Sequence, residues 1–165
     1  MMKMDNLEIE RKFLVERFDP ERMEVKSIHQ IRQGYMFLDA NKEVRLRNKN
    51  DNYYLTVKVN QTGIVREEYE YPIPVADGES LFASAMERPP IEKTRYIVSV
   101  SNKEWSVDVF HGDNQGLVMA EIELDSVDEP FASPDWLGLE VTEDRRYRNA
   151  YLYHTPFTSW NSESE

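Results

Sequence analysis

Near the N-terminus, the stretch LEIERKFLV places Glu8, Glu10 and Lys12 at alternate positions. In a strand, alternate side chains share a face, so two carboxylates and an ammonium group would project together. Their Cα atoms would lie roughly 6.6 Å apart per step of two residues, at about 3.3 Å per residue. That is close enough for carboxylate oxygens to converge on one hard cation. The same spacing recurs in Glu68 with Glu70 and in Glu121 with Glu123, and in cationic form in Arg45 with Arg47 and in Lys93 with Arg95. Guanidinium groups take phosphate oxygens two at a time. A surface bearing both sets suits a polyphosphate held by Lys and Arg, with divalent cations held by carboxylates.

The elements that would position these groups follow from apolar alternation. Leu7, Ile9, Phe13 and Val15 oppose the first charged set; Val44 and Leu46 oppose Arg45 and Arg47; Leu55, Val57 and Val59 oppose Lys58. Further strands are predicted over SIHQIRQGYMFLD, VREEYEYPI, EKTRYIVSV, EWSVDVF with Asp108, and LVMAEIEL, with LEVT as a brief last one. Leu81, Phe82, Ala85 and Met86 recur at helical spacing before Pro89 and Pro90, which predicts one amphipathic helix. EDRRYRNAYLYH reads as a C-terminal helix. We expect one domain over residues 1–156 and a loose tail over 157–165.

A chain of 165 residues with 40% apolar and 12% aromatic content has the composition of a folded protein. Its net charge of −11 argues against a nucleic-acid backbone as partner. With no cysteine there is no disulfide framework and no thiolate nucleophile, and a cytoplasmic location is the default expectation. The start MMKMDNLEIE lacks the apolar run of a signal peptide, and no stretch of about 18 apolar residues could span a bilayer. His29, His111 and His154 lack metal-binding spacing.

Two readings of the charged face remain. In an open antiparallel sheet it would be a solvated surface laced with cross-strand ion pairs. Eight or so long antiparallel strands with few helices tend instead to close into a barrel. Closure turns the apolar face outward, under helices or a partner copy, and makes the charged face a lumen, where charges persist only if paired or occupied.

The ordered series LEIERKFLV, RQGY, VRLR, LTVK, EEYE, EKTRY, DVF, EIEL and EVTEDRRYRN resembles the CYTH family, the triphosphate tunnel metalloenzymes, over roughly residues 6–153. The resemblance is nearest to the short bacterial members that hydrolyse inorganic tripolyphosphate. It implies a mainly β (α+β) fold: an eight-stranded antiparallel closed β-barrel tunnel with a charged lumen, a few outer helices and a C-terminal helix that closes one end. It further implies that Lys12, Arg45, Arg47, Lys58, Lys93 and Arg95 hold phosphate oxygens. Glu8, Glu10, Glu121 and Glu123 would hold Mg2+ or Mn2+, as two ions. Glu8 and Glu10 are the candidate bases, with Lys12 beside them in the catalytic set. Glu68, Glu70 and Asp108 match acidic tunnel positions of less definite role. Tyr35 is a candidate substrate contact at a tunnel mouth, with strand packing as its other reading; Arg146 would reach the ligand or lie on the surface. The expected partner is a triphosphate small molecule, without nucleic acid or membrane, and the apolar outer face is compatible with a homodimer. Adenylate cyclase or thiamine triphosphatase activity, and a non-catalytic polyphosphate sensor, are the competing functions. Arg11 points outward among apolar neighbours with no role assigned.

Overall fold

The computed structural model describes residues 6–162. Five strands come first: β1 (Leu7–Val15), β2 (Glu24–Leu38), β3 (Lys42–Lys49), β4 (Asn52–Thr62) and β5 (Val65–Ile73). Helix α1 (Val75–Ser84) precedes β6 (Ile91–Val100), β7 (Lys103–Phe110), β8 (Val118–Glu123) and β9 (Leu137–Glu140), and α2 (Asn149–His154) follows. Every pairing is antiparallel. Two-residue turns at Asn50–Asp51 and Ser101–Asn102 carry φ of 50° and 69°, and of 50° and 66°. These left-handed conformations match the twist of the flanking strands and fix the registers of the β3–β4 and β6–β7 hairpins.

The strand order β5-β4-β3-β2-β6-β7-β8-β1-β9, with β5 also paired to β1, closes eight strands into a barrel. Closure rests on β1, which joins β8 through Glu10 to Leu14 and meets β5 through Leu7, Glu8 and Ile9. Where β5 ends, β9 takes over that edge of β1, opposing Glu140 to Phe13 and Leu137 to Val15. The ninth strand is therefore a flap on the outside of a closed ring.

Two apolar clusters follow from the parity of the strands. Phe13, Val15, Val98, Trp105, Val107, Ala120 and Ile122 face outward and are covered by Phe131, Trp136 and Leu137 from the segment that leads into β9. Arg11 is explained by the same flap. It donates from Nε to Glu140 Oε2 at 2.8 Å and its guanidinium stands 5.0 Å from the Phe131 ring centroid. The second cluster has lumen parity: Tyr35, Phe110 and Met119 meet Leu152 and Tyr153 of α2. The barrel is thus plugged at this end by α2.

The expected C-terminal helix is split, with a 3-10 turn at Arg145–Tyr147 and then α2. The segment expected as a loose tail is described as far as Ser162. There it forms a 3-10 turn over Phe157–Ser162, with Trp160 Nε1 donating to Thr155 O at 3.0 Å; residues 163–165 lie outside the described residues, as do residues 1–5 of the N-terminal start. Among the described residues no helix is long and apolar enough to cross a membrane.

Candidate functional site

The inward-facing side chains line a cavity of about 180 Å³. Thirteen sequence-predicted residues meet there: Glu8, Glu10, Lys12, Tyr35, Arg45, Arg47, Lys58, Glu68, Glu70, Lys93, Arg95, Glu121 and Glu123. Asp108, 1% exposed, sits behind the lining. Its carboxylate accepts from Arg95 Nε and Nη2 at 2.7 and 2.9 Å and lies 2.8 Å from Lys93 Nζ. Burial opposes its ionisation, but Arg95 and Lys93 hold it well below the usual carboxylate range. Asp108 therefore anchors two cations. Arg146 is not in the lumen: it is exposed, pairs with Asp144 at 2.7 Å and stacks 5.2 Å from Trp160.

Charge is divided around the ring. On the adjoining strands β1 and β8, Glu10 is directly opposite Glu123 and Lys12 opposite Glu121. Burial and then Glu8 and Glu10 push Glu123 up to about 7; burial and Glu10 raise Glu121. Lys12 lies between the strands, 3.7 Å from Glu10 and 3.9 Å from Glu121. In the strand order of the ring, β3 stands opposite β8, so Arg45 and Arg47 look across the lumen toward Glu121 and Glu123.

The cations differ in how far they are already paired. Lys58 touches Glu8 at 3.0 Å and Glu68 at 3.3 Å, and although burial disfavours its charge, Glu8 and Glu10 raise it above the usual ammonium range. Arg45 donates to Thr56 at 3.3 Å and Glu70 at 3.4 Å, while its buried Nε has no hydrogen-bond partner. Arg47 donates only to the amide oxygen of Gln33, at 3.0 and 2.9 Å, and among the described residues it has no ion pair. Burial and then Arg45 and Arg95 push it down to about 9. A guanidinium stays protonated under ordinary conditions, so this shift marks a charge that lacks its anion.

The acidic wall fits a hard divalent cation by its chemistry, since every donor is a carboxylate oxygen. Among the described residues no three carboxylate or imidazole groups converge closely enough to form a metal cage by themselves. One or two of these carboxylates could hold such an ion, with phosphate oxygens and water completing its shell.

Several lining residues were missed. Glu43 and Arg66 share parity with Arg45 and Glu68, and pair with each other at 2.5 Å; period-2 reading alone could have added them. Asn149 lines the cavity and Gln33 is buried behind it; both are neutral and gave no charge signal. They link Arg47 to Lys93: the Gln33 amide donates to Asn149 Oδ1 at 3.0 Å, which also accepts from Lys93 Nζ at 3.0 Å. Arg148 and Asn149 enter the lumen only because α2 folds back into the barrel.

A closed antiparallel tunnel with opposed basic and carboxylate walls defines a polyanion-binding class of protein. Residues 6–151 match the CYTH domain, and the chain belongs to that family. An inorganic triphosphatase of Acetivibrio thermocellus is 46% identical over 153 residues, 93% of this chain and 97% of that relative. One from Nitrosomonas europaea is 39% identical over 149 residues, covering 88% of this chain and 95% of the relative. The solved inorganic triphosphatase NE1496 superposes with a TM-score of 0.64 at 37% identity, covering 88% of this chain and 96% of that one.

Proposed function

We propose that this protein is a divalent-metal-dependent triphosphatase that cleaves inorganic tripolyphosphate to pyrophosphate and phosphate inside the tunnel. The observation that carries the reading is Arg47, a guanidinium without a carboxylate partner, flanked by Arg45 and Arg95 and facing a wall of carboxylates. The triphosphatase names of the relatives and the metal dependence of the family support it. The lumen favours an inorganic substrate. At about 180 Å³ it is smaller than the roughly 300–1,000 Å³ of pockets for drug-sized ligands. Its lining includes one aromatic residue, Tyr35, which is 3% exposed and packed on Tyr153, so a nucleobase finds no stacking surface.

In this reading Arg45, Arg47, Lys58, Lys93 and Arg95 bind the nonbridging oxygens, and the Asp108 carboxylate fixes Lys93 and Arg95 in place. Glu8, Glu10, Glu121 and Glu123 would hold Mg2+ or Mn2+, as two ions. When bound, the metal neutralises phosphate charge and makes water more acidic. The oxygen of an attacking water forms the new bond to a terminal phosphorus as the bridging P–O bond breaks. Pyrophosphate leaves with the bridging electron pair, and the water proton passes to the carboxylate of Glu8 or Glu10. Lys12, between Glu10 and Glu121, offsets the repulsion of these carboxylates and adds positive charge beside the reacting phosphoryl group. We assign this activity to residues 1–156 as one unit, and place it in the cytoplasm on the absence of cysteine. A homodimer through the apolar outer face is part of the same proposal.

The test is release of phosphate, pyrophosphate and cyclic AMP from tripolyphosphate, ATP and thiamine triphosphate, with Mg2+, Mn2+ or a chelator. Metal-dependent phosphate release, fastest from tripolyphosphate and lost in Glu10→Gln and Arg45→Ala, is the expected result. Tight binding without turnover would establish a sensor instead.

A further inference from the structure

One cation of the lumen has no partner and no part in the scheme above. Arg148, just before α2, borders the tunnel cavity and also a second cavity of about 280 Å³. The second cavity lies where the β2–β3 turn at Asn41 and the β4–β5 turn at Gly63 meet Thr142, Glu143 and Arg145. Among the described residues Arg148 is the one side chain common to both linings. Its guanidinium makes no ion pair and no side-chain hydrogen bond with the described residues, and burial, then Arg66 and Arg145, lower its pKa. The neighbouring Arg66 is already engaged by Glu43, whereas Arg145 and the acidic member, Glu143, are exposed.

The position matters because this end of the barrel is blocked by Tyr35, Phe110 and Met119 packed on Leu152 and Tyr153. A phosphate released near the plug would have pyrophosphate between itself and the open mouth. We propose that Arg148 and Arg145 form an orthophosphate subsite in a side passage, through which phosphate freed at the plugged end leaves the tunnel. The exit role rests on the triphosphatase reading; the subsite itself does not. Arg148 offers an unpaired fork to the tetrahedral anion, and Arg145 a second charge nearer solvent.

The experiment measures orthophosphate binding by 31P NMR and calorimetry after the tunnel has been filled with Mg2+ and tripolyphosphate carrying methylene bridges, which cannot be cleaved. One phosphate should still bind the wild type. Its affinity should fall tenfold or more in the Arg145→Gln/Arg148→Gln variant and survive within about threefold in Arg148→Lys, which keeps charge and hydrogen-bonding capacity. Thermal melts confirm that each variant is folded. Absence of phosphate binding once the analogue fills the tunnel overturns the proposal, as does binding that persists in the folded double variant. Because no turnover is needed, a wild type that binds the analogue but cleaves no tripolyphosphate would refute the activity and leave the subsite standing.

Discussion

Replacing Asp108 by Asn keeps the shape of the side chain and removes the one carboxylate that Lys93 and Arg95 share. Both Asp108 and Lys93 are 1% exposed, and the contacts are 2.8 Å to Lys93 and 2.7 Å to Arg95. Removing one partner of a buried ion pair costs about 3–5 kcal/mol, because the remaining charge stays buried without compensation. In a chain of 165 residues each kcal/mol moves Tm by roughly 2–4 °C, so Asp108→Asn should melt about 6–20 °C below wild type. Circular dichroism melts at neutral pH, without metal or phosphate, measure this. The pH dependence has a definite sign. Asp108 is depressed in the folded state, so its contribution is present above the unfolded value of about 3.9 and is lost as pH falls below it. The gap between the two proteins should therefore narrow below about pH 4. Tripolyphosphate should raise Tm more in the variant than in wild type, since the anion re-pairs cations that have lost their carboxylate. A gap under 2 °C at neutral pH, or one that does not narrow in acid, would refute the anchoring role.

Three other substitutions separate the lumen from its scaffold. Arg47→Met removes charge-assisted hydrogen bonds worth about 1.5–3 kcal/mol; at about 1.36 kcal/mol per tenfold, calorimetry should find tripolyphosphate binding weakened roughly ten- to a hundredfold. Gly78→Ala would place a Cβ 2.1 Å from the Tyr53 ring. That should lift α1 off β4 at a cost of about 1–3 kcal/mol, seen in urea melts, with phosphate release retained because α1 lies outside the barrel. Arg11→Met breaks a half-exposed pair with Glu140 and a cation–π contact with Phe131. Together these are worth about 1–2 kcal/mol, again with turnover unaffected.

How much of this site could be read from sequence depends on which contacts are local. Period-2 alternation fixes which side chains of a strand share a face, so Glu8, Glu10, Arg45, Arg47, Lys93, Arg95, Glu121 and Glu123 were legible wherever the strand itself was. It does not say which face is inside. That is decided by the pairing of Leu7, Glu8 and Ile9 with Glu67, Arg66 and Val65, a contact between distant segments that no local pattern encodes. Resemblance to a tunnel family supplied it instead. The C-terminal segment shows the complementary limit. EDRRYRN carries three arginines, Arg145, Arg146 and Arg148, in a stretch of ordinary helical character, and a continuous helix gives no reason to prefer one. The chain takes a 3-10 turn through Arg145 and Arg146, capped by Asp144, before α2 begins at Asn149. That break leaves Arg146 stacked on Trp160 outside and carries Arg148 and Asn149 to the lumen. The Asp144 side chain accepts from the Arg146 N–H, as a cap for the 3-10 turn should, so the residue that selects Arg148 over Arg146 is an aspartate in neither cavity. Arg11 makes the same point for the outer surface: its partner Glu140 lies 129 positions away on a strand that exists to cover β1 where β5 leaves it. Charges whose partners lie along one strand or its hairpin neighbour announce themselves by spacing, whereas charges fixed by a returning segment acquire their meaning only when that segment docks.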